Sequence, residues 1–489
     1  MRKQPVELNA EITKKTVVSS LVWKLSERFF SQFANLVIQI ILARILAPED
    51  FGSLAIILAI VNFLAIFVQS GLATAIVQKN DVDEKDISTL CIMSICVATL
   101  LYLVIFFLAP VIADTYELPE LKWPMRVLTL TLFPCAINSI QTAILSRRME
   151  FKKLCIRSMI AVPTSGAIGI FMAYTGFGLW SLVAQNLSNM LIVMAIMSIG
   201  MHLPFNRGFS MEKAKAIYSF SGKIMLSSIV SSGYDMLRTM TIGRRYTTTD
   251  LAYYDKAYTY SYYAAQIVNS SITSVMLPVF SRKQSESREL HAMARRSCRL
   301  VSFVMVPVFL GGAAVAEQLI PLLLTSKWMP CVPFFVAFCL LRIPGCIAAI
   351  DKQVYYAIGR SGLTLTSEIV WFIVNSVVLI IAVPLGVMHI AVGAVIVEWL
   401  CTFLIFAISR KVYGYLWKER IKDLIRPLCN GLLMCLVVNA IKLLKLGNLP
   451  TLILQLIFGI IVYAALAIIT KDDSLQYILK LIVEQIREK

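Results

Sequence analysis

The chain has 489 residues, 58% of them hydrophobic and only 15% charged, with a mean hydropathy of +0.75 and a formal net charge of +17. That composition exceeds what the surface of a water-soluble protein of this size tolerates, and no stretch remains that is long enough for a separate soluble domain. The eleven cysteines include no CxxC, and His202, His291 and His389 lie far apart, which leaves a disulfide framework, a metal centre or a cofactor motif without support.

Apolar stretches of roughly twenty residues, the length that crosses a ~30 Å hydrocarbon core as a helix, recur about fourteen times. They fall near residues 18–46, 51–78, 87–110, 125–146, 154–175, 177–201, 214–242, 252–280, 297–316, 333–356, 362–384, 388–409, 425–444 and 449–470. The predicted fold class is all-α: a polytopic membrane protein of about 14 transmembrane helices. Met1 to Lys15 is polar, and no short apolar region precedes a small-residue cleavage site, so the first span itself is expected to direct insertion. Roughly 32 of the 46 Lys and Arg fall in one set of alternate loops and roughly 6 in the other, which predicts cytoplasmic N- and C-termini.

In chain order, the first span carries Lys24, Arg28, Ser31, Asn35 and Gln39 at steps of three or four, one stripe of a helix, with Glu27 beside it. The turn after it, ARILAPEDFGSL from Ala43 to Leu54, holds Arg44 and Asp50, and Asn62 and Gln69 follow in the second span. The next external loop is acidic, with Asp114, Glu117 and Glu120; the loop after the fourth span is basic, with Arg147, Arg148, Lys152, Lys153 and Arg157. The seventh span repeats the stripe as Lys223, Ser227, Ser231, Asp235 and Arg238. Its following turn, GRRYTTTDLAYY from Gly243 to Tyr254, lies over the first at an offset of 200 residues, matching Arg244 to Arg44 and Asp250 to Asp50. Both turns are external, so the repeats are parallel. They divide the chain into a six-helix lobe at 1–202, a second at 203–412, and a terminal helix pair with a cytoplasmic tail at 413–489.

Lys256, Tyr260, Tyr263 and Gln266 extend the polar face on the eighth span, and Arg342 stands mid-span beside Pro344 and Gly345. Glu368 and Glu398, with Glu27 and Asp235, are candidate proton or cation sites. The remaining basic clusters run from Arg282 to Arg299 and through Arg410, Lys411, Lys418, Arg420, Lys422 and Arg426. Because the clusters follow the topological alternation, they fit anionic lipid headgroups and argue against nucleic acid.

An ionised side chain at mid-membrane costs ~2.5–3.5 kcal/mol even on the lenient insertion scale, so the stripes are expected to meet water or a partner rather than lipid. Lys24 and Arg44 could instead snorkel to opposite interfaces, and Asp235 with Arg238 could form an intrahelical pair. Taken jointly, the two stripes predict a polar cavity between the lobes. Its excess of Lys and Arg suits an anionic group, with phosphate or pyrophosphate a good fit.

These residues also carry a family resemblance. ARILAPEDFGSLAI, GLATAIVQ, LSRRMEFKKL, GFGLWSLVAQ and IGRRYTTTDLAYYDKAYTYS leading into LPVFSR cover most of residues 17–283 in a specific order and spacing. The chain resembles the Wzx-type flippases for lipopolysaccharide, O-antigen and exopolysaccharide, close to the colanic-acid exporter subgroup of the multidrug/oligosaccharidyl-lipid/polysaccharide exporter superfamily. The family usually has glycine where Ala252 stands and often Ser-Arg where Asp255 and Lys256 stand. The resemblance implies a two-lobed bundle in the bacterial inner membrane that moves a polyprenyl-pyrophosphate-linked oligosaccharide to the periplasmic leaflet, with membrane lipids and the polysaccharide polymerase machinery as partners. On that basis Lys24, Arg28, Asn35, Arg44, Lys223, Arg238, Lys256 and Arg342 are expected to bind substrate, and Glu27, Asp235, Glu368 and Glu398 to couple an ion. The terminal helix pair is expected to offer an apolar groove to the lipid tail. A lipid II flippase and a small-molecule drug/cation antiporter remain open as alternatives. An enzyme is disfavoured, since the chain has no Ser/His/Asp set, no P-loop and no dinucleotide fingerprint.

Overall fold

A computed structural model describes residues 14–69, 83–201, 203–204, 208–281 and 287–476. Within the helices, the side chains of some of these residues, Lys223 and Ser227 among them, lie outside the description, as do the GLATAIVQ segment and His202. Every regular element among the described residues is helical. Hydrocarbon offers the backbone no water, so a spanning segment must satisfy its N–H and C=O groups internally, and a helix does so within one segment. The chain falls into two compact units, residues 1–252 and 253–489.

The first unit holds α1 (Lys14–Ile45), α2 (Pro48–Gln69), α3 (Glu84–Thr115), α4 (Lys122–Thr129), α5 (Leu132–Arg147), α6 (Phe151–Tyr174), α7 (Leu179–Gly200) and α8 (Met211–Arg245). The unit boundary falls early in α9 (Thr248–Ser281). The second unit continues with α10 (Ser287–Leu324), α11 (Val332–Ala357), α12 (Ser361–Ala382), α13 (Val387–Tyr413), α14 (Trp417–Ala440) and α15 (Asn448–Ile469). Among the described residues, eleven candidate spans are long and apolar enough to cross a membrane. α1, α8 and α9 are not among them, although they have 32, 35 and 34 residues, because they carry the polar stripes.

In the first unit α1 packs on α6, α6 on α7, and α2 on α8. Small residues set these approaches, as helices in lipid associate through close packing. A Cβ at Gly166 would lie 2.4 Å from the Ile38 side chain, one at Gly243 of α8 would lie 3.1 Å from the Ile56 side chain of α2, and one at Gly52 of α2 would meet the Thr248 carbonyl oxygen at the start of α9. Ile87, Leu90 and Cys91 of α3 close with Ile140, Ile144 and Met197 into a buried apolar cluster. Asp83 caps α3, accepting from the Asp86 amide at 2.7 Å, while the Asp86 side chain accepts from the Asp83 amide at 3.1 Å. The Lys213 ammonium, near the start of α8, reaches Asp83 at 2.5 Å and Asp86 at 3.2 Å. That hydrogen bond is the main reason the Asp83 carboxyl sits at about 2, below its ordinary 3.8.

In the second unit α10 packs on α11 and α14, α11 on α13, and α14 on α15. Arg420, which the sequence groups with a basic loop cluster, is 1% exposed. It reaches Asp351 at 2.5 and 3.1 Å and lies 4.0 Å from both the Phe406 and Tyr415 rings. Tyr413 and Ser409 complete the shell by donating to Asp351. Beside it Arg295 reaches Asp423 at 2.6 Å and Glu419 at 2.9 Å, Tyr415 donates to Asp423 at 2.9 Å, and Arg299 reaches Asp473 at 2.7 Å. The Arg420 and Asp351 side chains, each 2% exposed, are the kind of buried charges that persist through close pairing. On the outside of α14 and α15, Leu436, Ile457, Ile460, Ile461 and Ile468 are exposed, as a lipid-facing surface requires.

Candidate functional site

The sequence-predicted residues occupy distinct surroundings. On α1, Lys24 and Arg28 are exposed, with the Lys24 ammonium 5.2 Å from the centre of the Phe151 ring. Glu27 accepts a hydrogen bond from the Ser158 hydroxyl at 2.8 Å, so its carboxylate engages α6. Asn35 donates to the Ser31 carbonyl at 2.8 Å, one turn back on its own helix, and Arg44 is exposed in the last turn. On α8, Arg238 is buried and reaches Asp235 at 2.9 Å, the intrahelical pair that the i,i+3 spacing allows.

In the second unit Lys256 is buried, 6.0 Å from the Tyr260 ring centre. Arg342 donates to the Tyr258 carbonyl at 3.1 Å and the Ser261 hydroxyl at 3.3 Å, and its guanidinium lies over the Tyr258 and Tyr262 rings at 4.3 and 5.2 Å. Aromatic faces of this kind hold a cation in place and leave part of its donor set for other partners. Glu398 accepts from the Trp371 indole N–H at 2.8 Å, and a Cβ on Gly345 would come within 3.0 Å of its oxygen. Glu368 lies 4.0 Å from Lys352. Thus α9 and α11 bring Arg342 among the tyrosines of the eighth span, and α12 and α13 set Glu398 against the same helix as Arg342.

The first unit also contains a cavity of about 590 Å³ between α2, α5, α6 and α7. Arg157 and Ser158 of α6, Asn138, Ser139 and Thr142 of α5, and Asn189 of α7 provide its main polar groups. Arg157 is partly buried and donates through Nη1 to the Thr142 hydroxyl at 3.0 Å. From sequence, Arg157 groups with the basic loop after the fourth span, and Asn138 and Thr142 carry no assigned role. The available signal was Asn138, Ser139, Gln141, Thr142 and Ser146 inside an otherwise apolar span, too many polar groups for a face turned to lipid.

This arrangement is that of a multi-pass helical membrane protein, with Arg238 and Lys256 buried among its helices and Lys24, Arg28 and Arg44 exposed. The model of a family described as polysaccharide biosynthesis protein matches residues 41–333, and the chain belongs to that family, the Wzx-type polysaccharide flippases. It is 26% identical to the succinoglycan biosynthesis transport protein ExoT of Rhizobium meliloti over 96% of both chains. It is 20% identical to the lipopolysaccharide biosynthesis protein WzxC of Escherichia coli over 89% of both. Among solved structures, it resembles lipid II flippase MurJ in an inward closed conformation, with a TM-score of 0.77, 18% identity and coverage of 92% of this chain and 99% of that one. An inward-facing MATE family multidrug resistance transporter matches with a TM-score of 0.62 at 16% identity, over 82% and 98%. At these identities the two structures show the fold.

Proposed function

We propose that the protein carries a polyprenyl-pyrophosphate-linked oligosaccharide from the cytoplasmic to the periplasmic leaflet of the bacterial inner membrane, for surface polysaccharide assembly. The near full-length match to a succinoglycan transport protein carries this reading. In it α1, α8 and α9 cross the membrane along with the eleven apolar spans, giving fourteen crossings as two six-helix lobes (1–202 and 203–412) and a terminal pair, with both termini cytoplasmic. A sugar headgroup cannot cross hydrocarbon unaided because its hydroxyls and charges lose their water partners, whereas its polyprenyl tail can stay in lipid. Lys24, Arg28, Arg44, Lys223, Arg238, Lys256 and Arg342 attract the pyrophosphate and first sugar, with Asn35 beside them. Glu27, Asp235, Glu368 and Glu398 are the groups available to couple an ion. Lobe rocking gives alternating access, and the apolar outer face of α14 and α15 accommodates the tail. No covalent step is needed, so the protein acts as a transporter and the substrate leaves unchanged.

Reconstituted in liposomes without nucleotide, the protein should move a fluorescent lipid-linked oligosaccharide between leaflets, and lipid II more slowly. The combined Lys24→Gln, Arg28→Gln, Arg238→Gln, Lys256→Gln variant should insert normally and lose translocation. An undiminished rate in that variant, or a strict ATP requirement, refutes the reading. Faster movement of lipid II than of the oligosaccharide assigns the protein to cell-wall synthesis instead.

A further inference from the structure

The two units surround a guanidinium differently. Arg420 and Arg295 each meet carboxylates at hydrogen-bond distance. Arg157 meets none within ion-pair range among the described residues; its Nη1 goes to a neutral hydroxyl and to the Met197 sulfur at 3.7 Å. Glu27, the carboxylate whose field it senses, is engaged by Ser158. Asn138, which is 8% exposed, donates its amide to the Met190 carbonyl at 3.1 Å, while its side-chain oxygen has no partner. The Arg157 guanidinium therefore brings a cation without a carboxylate partner to the wall of this cavity, and an uncompensated charge in such a place favours an anionic occupant.

The chemistry of that occupant follows from the lining. It holds one cation and no carboxylate among the described residues, which disfavours metal ions and basic organic molecules. The charge calls for an oxyanion, and the hydroxyls and amides of Ser139, Thr142, Ser158 and Asn189 call for a neighbour rich in hydroxyls. A volume of about 590 Å³ falls in the range of small-molecule sites. Arg157 lies six residues into α6, about 9 Å along the helix from its start. The positive-inside bias assigns that end to the cytoplasm, the side from which substrate loads.

We infer that this cavity is a sub-site for an oxyanion on a hydroxyl-bearing part of the transported headgroup, a sugar carboxylate or a phosphate, with Arg157 as its counter-ion and the hydroxyls of Ser139 and Thr142 beside it. The inference rests on the flippase reading and adds a selectivity to it: acidic headgroups are preferred over neutral ones of the same size.

The test compares a lipid-linked oligosaccharide bearing a uronic acid with its carboxyl-reduced analogue, in liposomes containing the full chain. The readout is the ratio of their half-saturating concentrations. Wild type should favour the acidic form by about tenfold or more, as a charge-assisted hydrogen bond supports. R157Q should bring the ratio to near one, and R157K should retain part of it. N138D, which keeps the guanidinium and adds a repelling charge, should also abolish the preference and serves if R157Q fails to insert. Free glucuronate and inorganic phosphate, added as competitors, separate the two sources: the one that inhibits wild type but not R157Q identifies the anion. Equal ratios in wild type, R157Q and N138D, with neither competitor distinguishing them, mean a solvent-filled cavity and overturn the inference while the flippase reading stands. If wild type moves neither lipid, the flippase reading falls. The sub-site is then decided by saturation-transfer NMR of glucuronate and phosphate on wild type and R157Q, equal signals overturning it.

Discussion

Arg420 in the second unit and Arg157 in the first are both arginines at the ends of apolar helices, yet their surroundings differ. Arg420 has Asp351 on its donors, Tyr413 beside it and two aromatic rings against its faces. Arg157 has a single hydroxyl, a sulfur and a cavity. A buried cation held by a carboxylate ties helices together and resists change, whereas one with only neutral partners beside open space keeps its capacity for a ligand. The second unit therefore locks α11, α13 and α14 to each other, and the first retains a polar interior.

This contrast can be broken most severely at Asp351. Asp351→Ala strands the Arg420 charge and should cost about 3–5 kcal/mol in thermal or denaturant unfolding in detergent, while the paired change Asp351→Leu with Arg420→Met should recover most of it. If the single variant unfolds like wild type, the clamp is not structural. Gly52→Ala tests the packing of the first unit, since the added methyl meets the Thr248 carbonyl. A loss of about 1–3 kcal/mol is expected from overpacking, and an unchanged melting curve would mean that the approach relaxes freely. Arg157→Gln should leave stability within about 1 kcal/mol of wild type, because it removes one hydrogen bond and also one desolvated charge. A loss as large as that of Asp351→Ala would make Arg157 a second clamp.

The smallest effect belongs to Asp83. Its carboxyl is held at about 2 in the folded chain against an ordinary 3.8, so its stabilising contribution is present above pH 4 and is lost as pH falls through about 2. The carboxylate is largely solvent-exposed, and screening limits the contribution to about 0–1 kcal/mol. Amide exchange in the first turn of α3 should accelerate across that acid window relative to the rest of the helix, and Asp83→Asn should remove the difference.

The particular residues show why some features were legible and others were not. Spans such as α2 and α15 announce themselves because a predominantly apolar stretch of about twenty residues admits one stable placement. The i,i+3 pairing of Asp235 with Arg238 is likewise written in the spacing, since both lie on one helix. Glu27 was legible as an unusual acid, but its partner Ser158 is 131 positions away. Arg157 and Arg420 each looked like one more positive charge in a basic loop, because local composition does not say which helix lies opposite.

The sequence by itself determined that the chain is a helical membrane protein and which family it belongs to, because hydropathy, loop charge and motif order are properties of the chain read end to end. Only the tertiary structure decided which buried cations are paired and which face a cavity. Pairing depends on the approach of helices far apart in sequence, and in a low-dielectric interior a few ångströms separate a saturated ion pair from an open binding group.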